Sequence, residues 1–387
     1  MPKQAFNYAL FLFTYYGHAG AFATYASLLF AARGMSAAQI GVLMSLIQVM
    51  RIFGPNLWGW VADHTRRRVL VLRITGLAAL LAFTGIVYGH TFAQLFAAMV
   101  MLNLFTSAQG PVSEGLMLSE MQGDLRHYGR LRMWGSLGFI VTVMLTAYGL
   151  DWWGVGALPW IAGAMLACVL AVSLRMREAA PVHGAPPAPA LWPILRQRAV
   201  VALFGSAALM VAAHTSLYVY YSLYLARAGY GKPVIGAMWS LGVMAEIVFF
   251  YFQARAFARY GARRVMMAAF GVALLRFVVI GAGAQSLVLL VLAQLLHALT
   301  FAAHHSACVH AMQRWFSGPL QARGQALYIS LAYGIGGSAG GLFMAWCWEG
   351  LGPQAVYFAA ALLAAAGAAV AALSFRWQGG AVAARTA

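Results

Sequence analysis

IGAMWSLGVMAEIVFFYFQARAFARYGARR, residues 235–264, is an apolar run long enough to cross a bilayer, with one carboxylate, Glu246, at its middle and a basic loop at its end. The same layout occurs at residues 40–69, IGVLMSLIQVMRIFGPNLWGWVADHTRRRV. Laying Gly41 on Gly236 sets an offset of 195 positions, which also lays Ser45 on Ser240, Leu46 on Leu241 and Arg68 on Arg263. Over Tyr25–Leu46 and Tyr220–Leu241 that register gives nine identities in 22 positions. It sets Arg51 against Glu246. The chain therefore reads as two related halves, each with one ionisable group at the same depth and of opposite sign.

The whole chain, 387 residues, is 63% hydrophobic and 9% charged, against about 25% charged residues in a soluble domain. Apolar runs of about 20 residues follow one another with short polar breaks, which is the helical membrane pattern. A membrane barrel would alternate over segments of about ten residues. The net charge of +17 reflects topology: 20 of the 25 Lys and Arg fall in alternate loops or helix ends on one side. Arg33, Arg227 and Lys232 fall on the other side, and Arg51 and Arg276 lie inside helices. This bias places the crowded side, and with it both termini, in the cytoplasm, and no nucleic-acid partner is expected. Cys168, Cys308 and Cys347 have no short paired spacing, so neither a disulfide framework nor a cysteine metal site is expected. The N-terminal run lies inside the repeat and is read as the first helix, not as a cleaved leader.

In chain order, twelve apolar spans emerge. The second runs from about Ala37 to Val61, the eighth from about Pro233 to Phe257 and the ninth from Val265 to about Ala284. The stretch 175–198 differs in kind: it holds Pro181, Pro186, Pro187, Pro189 and Pro193 with basic residues at both ends, a composition that favours an extended linker. The expected fold is all-α and integral to the membrane, twelve transmembrane helices in two pseudo-symmetric six-helix bundles. Residues 1–174 form the first bundle, 175–198 the cytoplasmic linker and 199–387 the second. A parallel repeat of this kind is related by an axis along the membrane normal.

The loop Gly59-Trp-Val-Ala-Asp63-His-Thr-Arg66-Arg67-Arg68 resembles the signature between helices 2 and 3 of the major facilitator superfamily. His64 stands where Arg is usual and Arg66 where Gly is usual. The second copy keeps Gly261, Arg263 and Arg264 but lacks the aspartate. Tyr128-Gly-Arg130-Leu-Arg132-Met-Trp134-Gly135-Ser136, Gly236-x-x-Trp239-x-x-Gly242-Val-x-Ala245-Glu246 and Arg276 resemble the phenylpropionate permease group, which is related to sugar and nucleoside proton symporters. The resemblance implies a permease for secondary active, proton-driven uptake across the bacterial inner membrane. A small organic solute is implied, an aromatic carboxylate before a sugar or nucleoside. An exporter of the same fold and a non-transporting membrane sensor are the alternatives.

A charged side chain at mid-bilayer costs about 2.5–3.5 kcal/mol on insertion scales, so such groups face a partner or a cavity. Arg51 and Glu246 each lie about 20 Å in from the outer surface and Arg276 about 17 Å from the cytoplasm. Glu246 is read as the proton-binding group. Arg276, on the next helix, is its possible partner, as a switch or as a static structural pair. Arg51 is read as the site for a substrate anion, ideally gripped at both oxygens of a carboxylate, or else as a partner of Glu114. Gln48, Asn103, Tyr25, Tyr220 and Trp239 are candidates for lining the substrate path. His297 and His304 share a face of the tenth span, Leu287 to about Met312, with Cys308 and are read as cavity-lining; no metal site is assigned. Asp63, Arg67, Arg130 and Glu114 form a candidate inner gate, and Arg132 and Glu120 belong either to it or to topology.

Gly334-Ile-Gly336-Gly-Ser-Ala339 matches a dinucleotide pattern on paper, but no strand precedes it. Gly336/Gly340 and Gly337/Gly341 have instead the spacing that lets two membrane helices approach closely. No catalytic constellation or nucleotide loop is present in the sequence, so an enzyme is not expected. No cofactor is expected either, the proton gradient being the energy source. The expected partners are a small-molecule substrate, protons and the lipid bilayer, with a functional monomer.

Overall fold

The computed structural model describes residues 4–121, 128–178 and 191–386. Residues 179–190 of the expected linker and 122–127 of the polar loop that precedes Tyr128 lie outside them. Every element among the described residues is helical. The spans are α1 (Ala5–Ala32), α2 (Ala37–Thr65), α3 (Arg68–Tyr88), α4 (Phe92–Glu120), α5 (Tyr128–Trp153), α6 (Val155–Arg175) and α7 (Arg198–Arg227). A continuous stretch, Lys232–Ala282, then precedes α10 (Leu287–Met312), α11 (Arg323–Leu351) and α12 (Pro353–Gln378).

The Lys232–Ala282 stretch has 51 residues, about 76 Å of helix where the hydrocarbon layer is about 30 Å. It breaks at Gly261, with φ 70° and ψ 160°, and so supplies two spans, α8 (residues 232–260) and α9 (residues 262–282). Ten helices are long and apolar enough to cross a membrane. Dividing that long one and adding the 28-residue α1 makes the architecture consistent with twelve.

A departure in the loop signature falls at the equivalent position of the first half. Arg66, after α2, has φ 54°, the left-handed region that costs an L-residue about 1–2 kcal/mol and that glycine enters freely. Arg66 and Gly261 are 195 positions apart. Both halves thus turn their second corner at a residue of positive φ, but Arg66 is left-handed helical, with ψ 25°, whereas Gly261 has ψ 160°.

Contacts divide the chain into two compact units, Met1–Gly184 with Tyr221–Ser240, and Ala185–Tyr220 with Leu241–Ala387. In the first, α1 packs on α5 and α6, and α3 on α4 and α6. A core of Phe11, Leu12, Leu72, Leu116, Val169 and their neighbours is closed to solvent. A Cβ at Gly138 would run into the backbone of Phe13, so α1 and α5 meet backbone to backbone. The segment 221–240 joins this unit through Ser222 Oγ, which donates to Thr24 O at 2.6 Å, and through Gly236, where a Cβ would meet the Tyr25 hydroxyl at 2.6 Å.

The second unit repeats the crossing. Cβ atoms at Gly336 and Gly340 of α11 would meet Ala208 and Ala212 of α7 at 2.7 and 2.5 Å. Phe13 and Ala208 are related by the same 195 positions as Arg66 and Gly261.

Helix ends are closed by side chains as hydrogen-bonding chemistry requires. Ser36 with Gln39 and Thr91 with Gln94 form capping boxes. Arg33 donates to the carbonyls of Ile86, Val87 and Gly89 at the end of α3. Arg73 does the same for Ser173, Leu174 and Met176 at the end of α6, each a cation at the negative end of a helix.

Candidate functional site

The second unit holds a buried polar cluster built on α7, α8, α9 and α10. Glu246 lies about 21 Å along α8 from Lys232, and His297 about 15 Å along α10 from Leu287, so both sit near mid-bilayer. His297 Nε2 and Glu246 Oε1 are 2.8 Å apart, with side chains 10% and 15% exposed. The helices come this close because Gly242 lies one turn before Glu246; a Cβ there would meet Gln294 Oε1 and the His297 ring at 3.2 Å. His297 is held flat by Phe301, stacked at 5.5 Å.

A 2.8 Å imidazole–carboxylate contact needs a proton between the two atoms. Whichever partner owns it, the pair carries at least one. His297 Nδ1 is buried with no hydrogen-bond partner. A second proton on that ring would leave a buried N–H without an acceptor, at about 1–3 kcal/mol. The His297 ring in this conformation is therefore suited to a single proton, on the nitrogen that faces Glu246, and any further proton belongs to the carboxyl group.

Arg276 of α9 is fully buried. It donates to Ala293 O at 2.7 Å, Thr300 Oγ1 at 3.0 Å and Gln294 Oε1 at 3.2 Å, all on α10. Thr300 Oγ1 also lies 3.2 Å from His214 Nε2, whose Nδ1 is 2.9 Å from Met210 O. Arg276 donates to Thr300, whose single hydroxyl proton has two acceptors at 3.2 Å, the His297 carbonyl and, in a neutral His214 that donates to Met210, His214 Nε2. Thr300 and Phe301 lie in a π-helical stretch of α10, Ala298–Ala303, a local widening that is frequent where side chains are aimed at a function. A second π stretch, Ile329–Gly336, begins beside Tyr328. The hydroxyls of Tyr328 and Tyr333 lie 3.1 and 3.3 Å from His305 Nδ1.

The first unit holds a second, looser cluster. Arg51 Nη1 donates to Gln48 Oε1 at 3.1 Å. Tyr15 and Tyr16 of α1 lie within the electrostatic reach of Arg51, Glu114 and Arg132. Arg132 Nε is 3.9 Å from Glu114, and its guanidinium lies 4.1 Å from the Tyr16 ring centroid.

The remaining candidates fall as follows. Tyr25 is fully buried and donates to Val143 O at 3.1 Å. Tyr220 stacks on Trp348 with centroids 5.0 Å apart. Trp239 donates to Ser222 Oγ at 3.0 Å and sets its edge against Tyr221. Asn103 bonds the Met99 carbonyl of its own helix, and His304 is buried between Cys308 and Phe270. Among the described residues no three His, Cys, Asp or Glu groups converge. Asp63 pairs with Arg68 at 3.1 Å, and Arg68 reaches Ser119 as well. Arg67 and Arg130 are exposed. Glu120 accepts from Gln4 and Tyr8 and fastens the start of α1.

Glu246 thus meets His297, a pairing that consecutive helices did not suggest. His214, Gln294 and Thr300 were not singled out from the sequence. Their signal was a polar residue near mid-helix, His214 lying about 24 Å along α7.

Comparison with known proteins accounts for this architecture. The model of the MFS_1 like family matches residues 5–359. A protein described as "Probable 3-phenylpropionic acid transporter" of Escherichia coli (strain K12) is 27% identical over 361 residues, 92% of this chain and 94% of its own. The maltose permease of Geobacillus stearothermophilus is 37% identical over 117 residues, 30% of this chain and 29% of its own. The solved structure of the nucleoside transporter NupG superposes with a TM-score of 0.84 at 17% identity, covering 97% of this chain and 99% of that one. The POT family transporter PepTSo does so with 0.78 at 13% identity, over 98% and 99%. At such identities the two structures show the shared fold. The chain belongs to the MFS_1 like family, and it is a multi-pass membrane transporter of the major facilitator type that carries a small-molecule substrate.

Proposed function

We propose that the transporter couples uptake of a small organic solute to proton entry, and that an aromatic carboxylate of the phenylpropionate kind is its substrate. The observation that carries the reading is the buried Glu246–His297 contact of 2.8 Å with His297 Nδ1 left without a partner. A buried carboxyl group in hydrogen-bond contact with an imidazole exchanges a proton when its surroundings change. Arg276, Thr300 and His214 position α9, α7 and α10 around the pair.

Arg51 is the proposed anion site, with Gln48 orienting its guanidinium. Proton and anion are then handled by different units, which fits two related halves carrying opposite charges at one depth. The name of the Escherichia coli relative supports the substrate class. A neutral sugar or nucleoside is the second reading, supported by the maltose permease and nucleoside transporter names and by uncharged polar groups such as Gln294 beside the pair. Asp63 and Glu114, with Arg67, Arg68, Arg130 and Arg132, are proposed as an inner gate whose ion pairs form when the transporter faces outward. The protein works as a monomer in the bacterial inner membrane, with its arginine-rich face and both termini in the cytoplasm.

The test is uptake by proteoliposomes of a panel of aromatic carboxylates, sugars and nucleosides, with and without an imposed pH gradient. The reading expects one aromatic carboxylate to be stimulated by external acid. Stimulation of sugars or nucleosides alone selects the second reading, and no stimulation of any solute overturns proton coupling.

A further inference from the structure

Arginine in the two units is balanced differently. In the first unit three arginines of the basic face have partners built into the fold. Arg68 has Asp63 and Ser119, Arg132 has Glu114, and Arg73 caps α6. The second unit has eleven arginines and only two carboxylates, Glu246 and Glu349. Glu246 sits on His297 near mid-bilayer, and Glu349 lies about 39 Å along α11 from Arg323, at the opposite end. The arginine-rich face of this unit therefore has no carboxylate of its own to neutralise it.

Part of that charge stands at the end of a seam between two helices with exposed apolar side chains. Helices α9 and α12 lie side by side and antiparallel over their whole length. The Arg263 guanidinium is 6.0 Å from the Phe375 ring. A Cβ at Gly367 would meet Phe270 at 2.5 Å, and one at Gly281 would meet Tyr357 and Phe358 at 3.2–3.3 Å. Both helices keep exposed apolar side chains beyond this seam, Leu275 at 54% on α9 and Leu362 at 72% on α12. In a membrane protein, exposed apolar side chains along such a span face acyl chains. At one end the seam finishes in Arg263, Arg264 and Arg376, all exposed, beside Trp377, 42% exposed. Arginine matches phosphate geometry through its planar donors, and tryptophan favours the headgroup level.

We infer that the α9–α12 seam binds an anionic phospholipid, its headgroup phosphate between Arg263, Arg264 and Arg376 and its chains along the two helices. Lipid is the source of the phosphate because the cations stand at the end of an exposed apolar seam that a soluble anion would not use. The site is separate from the transport path proposed above and does not depend on it.

The experiment is native mass spectrometry of the full-length protein released from mixed micelles of phosphatidylglycerol and phosphatidylcholine. The wild-type protein is expected to retain phosphatidylglycerol selectively. Arg263→Gln/Arg264→Gln/Arg376→Gln is expected to weaken retention on the order of a hundredfold, from about a factor of five to six for each arginine near a membrane surface. The control Arg67→Gln/Arg175→Gln/Arg177→Gln removes equal charge from the first unit and should change retention less than threefold. The charge-keeping Arg263→Lys/Arg264→Lys/Arg376→Lys variant, monodisperse and retaining the lipid, shows that the site tolerates substitution. Equal retention of both lipids by the wild-type protein overturns the inference without any variant. Equal loss in the control reduces it to diffuse surface charge. Displacement of the lipid by inorganic phosphate at millimolar concentration overturns the lipid as the ligand.

Discussion

Glu246→Gln separates proton coupling from folding and from substrate passage. The glutamine keeps the side-chain volume and an oxygen that can accept from His297 Nε2 at the 2.8 Å contact, but it cannot take up a proton. Exchanging a charge-assisted hydrogen bond for a neutral one costs about 1 kcal/mol, so the variant folds and inserts. Its effect on transport is far larger. One proton moved down a gradient of one pH unit supplies about 1.4 kcal/mol, enough for about tenfold accumulation of a co-transported solute. If the Glu246–His297 pair carries one proton per cycle, a gradient of two units supports about a hundredfold accumulation. Proteoliposomes loaded at neutral pH and diluted into acid should approach that ratio with the wild-type protein. With Glu246→Gln the ratio should stay near one, while counterflow exchange of labelled for unlabelled substrate continues within tenfold of the wild-type rate. Accumulation of more than about tenfold by the variant under the two-unit gradient would refute the assignment of the proton to Glu246. Loss of counterflow as well would make the carboxylate a structural or substrate-binding group.

Arg51→Met should weaken binding of an anionic substrate by roughly 10- to 150-fold, the worth of hydrogen bonds to a charged group, with Arg51→Lys restoring only part. Calorimetric titration that finds unchanged affinity rules Arg51 out. Arg276→Met removes the donor to Thr300 Oγ1 and Gln294 Oε1 and should cost about 1–3 kcal/mol for each acceptor left unsatisfied, read as a lower melting temperature in detergent; an unchanged melt would refute the network. Arg66→Gly relieves the left-handed backbone at φ 54° and, after the unfolded-state entropy of glycine, should stabilise by about 0.5–1 kcal/mol. A lower melting temperature in that variant would show that Arg66 is held by contacts stronger than its strain.

Much of this molecule is legible in one dimension because the bilayer makes it so. With no water in the hydrocarbon layer, a spanning segment must satisfy its backbone internally and present apolar side chains. Apolar runs of the right length therefore announce helices whatever their neighbours are. The 195-residue register was visible for the same reason, and it anticipated that Arg66 and Gly261 occupy equivalent corners, though not that both have positive φ. Glu246, Arg51 and Arg276 stood out because charge is rare at such depth.

The partners of those charges were not legible. Consecutive helices suggested Glu246 beside Arg276; the fold adds His297 on Glu246 and Gln294 and Thr300 on Arg276, which the sequence did not suggest. Gly242 admits α10 to within contact of α8, and the π stretch at Ala298–Ala303 places Thr300 where Arg276 and His214 meet. Tyr25 and Tyr220, which share the repeat register, are both fully buried, and their partners, Val143 O and Trp348, were not legible either. Hydropathy, charge bias and internal repetition thus determined helices, membrane class and the depth of the ionisable groups, because each depends on the surrounding solvent alone. Which side chains meet was decided by tertiary structure, because helix neighbours and azimuths follow from the close approach of small residues and the local pitch of each helix, which no single segment contains.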